Sequence, residues 1–433
     1  MLALILVPLL SSAEDLDATT EGASFLQVEA KRPLLLWRKD KRLQSQRLEL
    51  ERQVLTFRGM NGVRTLTQGG KLGGGAQGDV FRAWTTSPAL PVAVKVAEVG
   101  KAYSPCGDPD TRKDGPAFEA FLMGKVTHDN VVKLIDHGPV ITGGPVDRWG
   151  SRKTYYAIVM GLHDGGTLGP LPASPEHWLL RQGHRNGKSA MKDLVGAVRA
   201  CHAAGVLHSD IKPNNILLGE DGAVVLMDFG MGYDLSKGGR ADCPPMGTAS
   251  YLPPELYQKP EGAVLPWLSS YERQEFGFEL DLWALGLTIF VVLARSNPFV
   301  VSRADAHRVA EQRIPIDEDN RAMEFLNEPL VKAMGEAEAA KTDSSICHAK
   351  VITLLRKQGF DTSQLSELCA DEKMLMRLIS KMLKVDPDRR ALPTVAELAA
   401  LAEDEKEMDL QEVIKLSTAK STIQPKLVAE TRI

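Results

Sequence analysis

The sequence predicts an α+β protein with strands early in the chain and helices later, and three observations lead to this prediction. Residues 80–84 and 92–96 are apolar, β-branched runs on either side of a proline-containing turn, which is typical of neighbouring strands. Residues 189–203 repeat apolar side chains every three and four positions, and residues 281–294 are strongly apolar, which indicates helices. The chain has 433 residues, enough for two or three domains or one large two-lobed domain at about 150 residues per domain.

The composition is that of a globular protein with nearly balanced charge. Apolar residues make up 43% of the chain, and 52 basic against 56 acidic residues give a net charge of −4. Such a balance gives no overall field for nucleic acid, so we expect no nucleic-acid partner. The five cysteines lack metal-ligand spacing, so we expect mostly free thiols and leave a disulfide open. They are Cys106, Cys201, Cys243, Cys347 and Cys369.

The N-terminal residues leave the cellular compartment open. Residues 1–10 are almost wholly apolar and precede Ser11-Ser12-Ala13, which fits a secretory signal peptide over residues 1–13, although a basic leader is missing. The alternative is an intracellular protein whose first residues lie outside the fold. Because no stretch approaches about eighteen uninterrupted apolar residues, we expect no transmembrane helix.

A basic segment at residues 31–54 follows an acidic lead. Its leucines and Val54 fall near a helical period, which predicts a basic amphipathic helix. Such a helix can contact a membrane or a partner, but we favour packing against its own domain.

Three glycines near residue 75 form a candidate phosphate-binding loop. Gly73, Gly75 and Gly78 match the pattern Gly-x-Gly-x-x-Gly, which also occurs in dinucleotide-binding folds and in flexible loops. Because strands follow the glycines here instead of a helix, we favour a loop between strands. Downstream, Lys95 ends an apolar run, where an unpaired ammonium group would be costly and requires a carboxylate partner.

Residues 206–230 hold the densest set of chemically active groups. Residues 208–215 read His-Ser-Asp-Ile-Lys-Pro-Asn-Asn, and Asp228-Phe229-Gly230 follows an apolar run that predicts a hairpin. Each segment alone is ordinary turn chemistry. Together, and in this order after the glycine loop, they resemble the catalytic loop and the metal-binding segment of eukaryotic-type protein kinases.

The resemblance to serine/threonine-type protein kinases covers residues 66–401. It implies a bilobal protein-kinase-like fold, with an antiparallel β-sheet lobe and one main helix at 66–160 and a large, mainly helical lobe at 161–401. Residues 14–65 would then be an N-terminal extension and residues 402–433 a C-terminal tail. The resemblance further implies ATP and Mg²⁺, protein substrates with Ser/Thr acceptors, and a monomer.

The same resemblance assigns roles to individual residues. Asp210 would orient the acceptor hydroxyl and take its proton, Lys212 would stabilise the migrating phosphate, and Asn215 and Asp228 would hold Mg²⁺. Glu119 would pair with Lys95, unless Lys95 snorkels from an edge strand and Glu119 is a surface residue. Contacts to ATP are implied for Leu72, Gly73, Gly75, Gly78, Val80, Ala93, Lys95, Glu119, Met160 and His163.

Four positions depart from the family pattern, and one of them is Pro253, which replaces an alanine. Gln77 replaces an aromatic residue at the tip of the glycine loop, and Gly161 replaces a glutamate after Met160. Ser209 replaces an arginine that usually pairs with a phosphate on the activation segment, which corresponds to residues 228–255 here, so we expect phosphorylation there not to be the switch. Thr248, taken with Lys212, favours Ser/Thr acceptors.

The remaining matches are structural. Asp281 would brace the catalytic loop, and Arg390 would pair with Glu255 at the end of the activation segment. Residues 302–369 exceed what the family needs, and we interpret them as a solvated helical insert in preference to a docking surface. Two other functions stay open: a pseudokinase that binds nucleotide or a partner, and a kinase of small molecules or lipids.

Overall fold

The computed structural model describes most of the chain from residue 53 to residue 401. The described residues are 53–75, 77–99, 115–142, 154–169, 187–219, 223–243, 247–256, 274–294, 297–299, 318–358, 360 and 362–401. The predicted signal peptide, the basic residues 31–52 and the tail 402–433 lie outside them. Among the described residues, no helix is both long and apolar enough to cross a bilayer.

The first part of the described chain is a closed antiparallel barrel. Its strands are β1 (Gln53–Gly59), β2 (Gly62–Gly75), β3 (Gly78–Thr85), β4 (Pro91–Glu98), β5 (Leu134–Thr142) and β6 (Tyr155–Met160). They follow the order β1-β2-β3-β4-β6-β5, and β1 also pairs with β5. Its interior is filled by Leu55, Phe57, Leu66, Ala83, Val92, Val94, Ala157 and Val159.

Strand β1 lies before the predicted start of the small lobe and pairs with two of its strands. The sequence analysis placed residues 53–65 in an N-terminal extension and set Val54 on a helical period, whereas Val54 lies in a strand. A two-residue loop of Met60 and Asn61 joins β1 to β2, and Gly62 has a φ of +108°. An Asn-Gly pair between alternating apolar residues is the usual signal for such a hairpin. That signal is present in the sequence at Asn61-Gly62.

One helix, α1 (Gly115–Lys125), packs beside the barrel as predicted. Its buried face includes Ala120, Leu122 and Met123, together with the charged Glu119. A carboxylate in this position faces the protein interior and needs a cationic partner. The helix therefore presents Glu119 to the cleft beside strand β4.

The larger, mainly helical part begins with helix α2 (Gly187–Ala203). Short strands β7 (Val206–Leu207), β8 (Ile216–Leu218), β9 (Val224–Leu226), β10 (Tyr233–Asp234), β11 (Ala241–Cys243) and β12 (Gln274–Phe276) lie between α2 and helix α3 (Glu279–Ala294). The antiparallel pair β8 and β9 confirms the predicted hairpin. Helix α3 is buried along almost its whole length, so it forms the centre of this lobe.

The predicted solvated insert proves to be part of the core. Helices α4 (Glu318–Ala339), α5 (Ala349–Lys357), α6 (Ser363–Asp371) and α7 (Lys373–Met382) follow α3. Their fully buried side chains include Leu330, Met334, Val351, Leu355 and Leu365, which join the main hydrophobic cluster. Over residues 330–369, the prediction of a solvated insert is therefore wrong, whereas residues 302–317 lie outside the described part.

The disulfide that the sequence left open is present. Cys347 and Cys369 form a disulfide that joins the start of α5 to α6. A separation of 22 residues gave no sign that the two helices lie side by side. Cys201 is free and buried, and burial raises the pKa of its thiol, which keeps it protonated.

Candidate active site

The loop between β7 and β8 carries Asp210 and is hydrogen-bonded to helix α3. The fully buried carboxylate of Asp281 accepts hydrogen bonds from the backbone N–H groups of His208 and Ser209, at 2.9 and 2.8 Å. Ser209 has a left-handed φ of +66°, a conformation that is costly unless its surroundings impose it. The predicted bracing by Asp281 is therefore present, and it fixes the backbone immediately before Asp210.

Both carboxylate oxygens of Asp210 receive hydrogen bonds. Oδ1 accepts from the backbone N–H of Thr248 at 2.9 Å and from its hydroxyl at 2.7 Å. Oδ2 accepts from Lys212 Nζ at 2.7 Å and from Asn215 Nδ2 at 2.9 Å. Lys212 also contacts the Thr248 hydroxyl at 2.6 Å. Lys212 and Asn215 lie beside Asp210 as predicted, whereas the direct contact from Thr248 was not predicted.

A second cluster surrounds Lys95 on strand β4. Its buried ammonium group lies 2.8 Å from both carboxylate oxygens of Glu119, 2.9 Å from Asp228 Oδ1 and 3.3 Å from Gln77 Oε1. Burial alone would lower the pKa of Lys95, but the charges of Glu119 and Asp228 outweigh it and raise the pKa. Lys95 is therefore a permanent cation between the barrel and the helical lobe, and the pairing rules out a snorkelling lysine.

Asp228 follows strand β9 in a left-handed conformation, with a φ of +67°. Burial alone would raise the pKa of this carboxyl group, but the Lys95 ammonium more than compensates, so the pKa lies below its ordinary value. Asp228 is thus an anion. The ring of Phe229 packs against His208, with ring centroids 4.8 Å apart, which ties this segment to the catalytic loop.

The donor types at Asn215 and Asp228 suit a magnesium ion. Mg²⁺ prefers oxygen ligands and is commonly held by one or two protein groups together with substrate phosphates. Within the described residues, no group of three or more His, Cys, Asp or Glu side chains could hold a metal without such help. A carboxylate, a carboxamide and the phosphates of a nucleotide therefore fit this place better than a metal site made of protein alone.

The glycine loop joins β2 to β3 as a hairpin, with Gly73 opposite Val80 and Gly75 opposite Gly78. A Cβ atom at Gly78 would lie 2.7 Å from the backbone oxygen of Val96, and its φ is +133°, so this position requires glycine. A Cβ at Gly73 or Gly75 would meet nothing within 4 Å. The two glycines thus leave open space beside the loop.

Gln77 at the loop tip reaches into the cleft, which sequence analysis did not anticipate. Besides contacting Lys95, its carboxamide packs over Gly230, where an added Cβ would lie 2.0 Å from Gln77 Oε1. The polarity of glutamine in a position that favours an aromatic residue was the available signal.

The predicted adenine contacts lie around the barrel wall and the segment after β6. Ala93 on β4 pairs with Met160 on β6, and both side chains are buried. Leu72 on β2 is exposed and Val80 on β3 is half-buried. His163 lies three residues after the end of β6. Between them, the Gly161 N–H donates a hydrogen bond to the Lys133 carbonyl oxygen at 3.0 Å. The structure thus brings Ala93 and Met160 together on the barrel wall.

At the far end of the activation segment, Arg390 and Glu255 form the predicted ion pair. The two guanidinium N–H groups donate to the two carboxylate oxygens, each at 2.6 Å. This planar, two-pronged geometry is the strongest arrangement for the pair. It fixes the end of the segment that contains Thr248.

Comparisons with known proteins agree with this geometry. A family model described as a protein kinase domain matches residues 66–400. The chain is 26% identical over 230 residues to the serine/threonine-protein kinase STE20 of Saccharomyces cerevisiae, covering 53% of this chain and 20% of that protein. It is 27% identical over 228 residues to a PAS domain-containing serine/threonine-protein kinase of Mus musculus, covering 53% of this chain and 14% of that protein.

A longer match extends further into the helical lobe. The chain is 24% identical over 343 residues to the serine/threonine-protein kinase RAD53 of Saccharomyces cerevisiae, covering 70% of this chain and 38% of that protein. The chain therefore matches well under half of the length of these relatives.

Proposed function

Because this chain belongs to the protein kinase family, we propose that it transfers the γ-phosphate of ATP to serine and threonine hydroxyls of protein substrates. The observation that carries this proposal is the arrangement at Asp210, where Lys212, Asn215 and Thr248 all bind one carboxylate. A carboxylate held in this way is oriented to receive a hydroxyl group, which is the main requirement of phosphoryl transfer.

Asp210 would orient the acceptor hydroxyl and take its proton as the phosphate leaves ATP. Lys212 lies 2.7 Å from this carboxylate, so its ammonium group would neutralise charge on the transferring oxygens. Thr248 fixes the orientation of Asp210 from the activation segment. Its short side chain beside Lys212 supports serine and threonine as acceptors.

Lys95 would bind the phosphates of ATP while Glu119 holds it in place. Gly73, Gly75 and Gly78 would cover the phosphates, because their backbone can approach closely. Asn215 and Asp228 would hold Mg²⁺, which when bound bridges the phosphates and neutralises their charge. Adenine would lie between Leu72, Val80, Ala93 and Met160, beside the backbone of His163.

The proposal is tested by transfer of labelled γ-phosphate to a generic basic protein and to the chain itself. We expect the wild type to label serine and threonine, and Asp210→Asn to lower the rate at least about a hundredfold. Asp228→Ala should abolish phosphate transfer, and added Mg²⁺ should not restore it. Asp388→Asn changes an exposed carboxylate in the turn before Arg390, outside the residues proposed to bind ATP or substrate, and serves as the matched control, with unchanged activity.

The outcomes separate the alternatives. A folded wild type that gains thermal stability from ATP but transfers no phosphate would support a pseudokinase and refute the proposal. Label on tyrosine alone would refute the Ser/Thr assignment while leaving protein kinase activity standing. Label on a small molecule or a lipid but on no protein would favour the third alternative.

A further inference from the structure

Helix α1 is attached to the activation segment by an ion pair outside the cleft. Lys125, the last residue of α1, lies 2.5 Å from Asp234 Oδ1 on strand β10. Its ammonium group also lies 3.2 Å from the Ser236 hydroxyl, which itself donates to Asp234 Oδ1 at 2.6 Å. Both charged side chains are 21% exposed, so the pair is largely shielded from water. Partly buried pairs of this kind are screened less than pairs on the surface.

The two partners lie on the elements that carry the groups around Lys95. Helix α1 bears Glu119, and strand β10 begins soon after Asp228. The residue immediately before β10 also approaches α1 closely, since a Cβ added to Gly232 would lie 2.8 Å from Leu122 Cδ1. A displacement of α1 relative to β10 would therefore move Glu119 away from Asp228, and Lys95 could no longer contact both carboxylates.

Strand β10 is itself fixed to the catalytic loop. Tyr233 pairs with Leu207 and Asp234 with Val206 on strand β7, and Leu235 N–H donates to the Gly205 carbonyl oxygen at 2.7 Å. Asp234 is consequently a rigid anchor for Lys125. Burial alone would raise its pKa, but hydrogen bonds from Lys125 and Ser236 lower it, so Asp234 remains charged at neutral pH.

Asp234 supplies a negative charge on the activation segment without phosphorylation. Ser209 offers no guanidinium group to a phosphate on the activation segment, whereas Asp234 already holds a cation from α1. We propose that the Lys125–Asp234 ion pair positions helix α1, and thereby Glu119 and Lys95, for phosphoryl transfer without phosphorylation of the activation segment. This inference rests on the proposed function and assigns Lys125 and Asp234 as positioning residues.

The test combines single substitutions with a charge exchange. Lys125→Met and Asp234→Asn each remove one charge, and we expect each to lower kcat by about threefold to tenfold, the range for a partly buried pair. Lys125→Arg should retain most of the rate. The double variant Lys125→Asp with Asp234→Lys restores opposite charges and should recover most of the loss.

A second readout follows helix α1 itself. Hydrogen exchange of the backbone amides of residues 119–125 should accelerate in the single variants and return toward wild type in the charge-exchange variant. The matched control is Lys381→Met, which breaks a different partly exposed lysine–carboxylate pair, with Glu397, in the helical lobe. It should lower stability but leave both kcat and the exchange of α1 unchanged.

Each result bears on the proposal in a defined way. An unchanged kcat in an active protein carrying Lys125→Met overturns the positioning role and leaves the proposed function standing. Reduced kcat without recovery in the charge-exchange variant or with Lys125→Arg also overturns it. If the wild type transfers no phosphate, the proposed function fails, and unchanged exchange of α1 in Lys125→Met still overturns the anchoring of the helix.

Discussion

Arg390→Ala should lower the free energy of unfolding of the helical lobe far more than a substitution at the adjacent Arg389. The Arg390 side chain is fully buried and lies over the Trp283 ring, with its guanidinium carbon 5.1 Å from the ring centroid. Besides Glu255, its N–H groups donate to the backbone oxygens of Glu279, Lys384 and Val385. Removing one partner of such a buried pair costs about 3 to 5 kcal/mol, because the other groups lose their partner.

Urea unfolding followed by tryptophan fluorescence measures this cost. Arg389→Lys is the matched control, since the adjacent arginine is 55% exposed and a lysine keeps a positive charge near the buried carboxylate of Glu338, which lies 3.9 Å from Arg389. We expect the control to change the free energy of unfolding by at most about 0.5 kcal/mol. Equal losses in the two variants, or a loss below about 1 kcal/mol for Arg390→Ala, would refute the argument that the buried network stabilises the lobe.

Three further predictions concern the cleft, the disulfide and acid stability. Gln77→Ala removes an acceptor that competes with ATP for the cleft lysine, so calorimetry on an inactive Asp210→Asn background should show the Kd for ATP falling about threefold. Cys369→Ser opens a crosslink that spans 22 residues and should lower the free energy of unfolding by about 3 kcal/mol in oxidising buffer. The Lys381 ammonium lowers the pKa of Glu397 from 4.5 to about 2, so its stabilising effect is complete above pH 4.5 and is lost as the pH falls toward 2. After allowance for solvent screening, Glu397→Gln should lose about 1 kcal/mol at pH 7 and much less near pH 3 in urea unfolding.

Opposite results would count against the contacts concerned. A weaker affinity for ATP in Gln77→Ala would indicate that the carboxamide binds the nucleotide instead of competing with it. Equal stability of Cys369→Ser and wild type in oxidising buffer would argue against the crosslink. A loss in Glu397→Gln that does not change with pH would mean that the charge of this carboxylate contributes nothing.

The sequence predicted best where the chemistry is local or where burial imposes a partner. Asp210 and Asn215 are close in the chain, so their contact follows from a single loop. Lys95 lies in an apolar strand, and burial of its charge requires a carboxylate. Glu119 fulfils that requirement at 2.8 Å. These two clusters contain the centre of the candidate site.

Contacts between distant segments were harder to predict. Thr248 meets Asp210 only because the activation segment folds back over the catalytic loop, and nothing in its own neighbourhood encodes the distance. Cys347 and Cys369 become neighbours through the packing of two helices that the sequence analysis placed in solvent. Hydrophobic spacing predicts such helices but does not say which of their faces meet.

The closed barrel has a consequence for where the domain can be shortened. The matched family region starts at residue 66, inside β2. A chain beginning there would lose all of β1 and leave the hydrogen-bonding edges of β2 and β5 without their partner. It would also lose the buried side chains of Leu55 and Phe57. Unpaired edges of this kind serve as templates for strands of other molecules, so such a chain should aggregate, whereas one that begins before Gln53 keeps the edges covered.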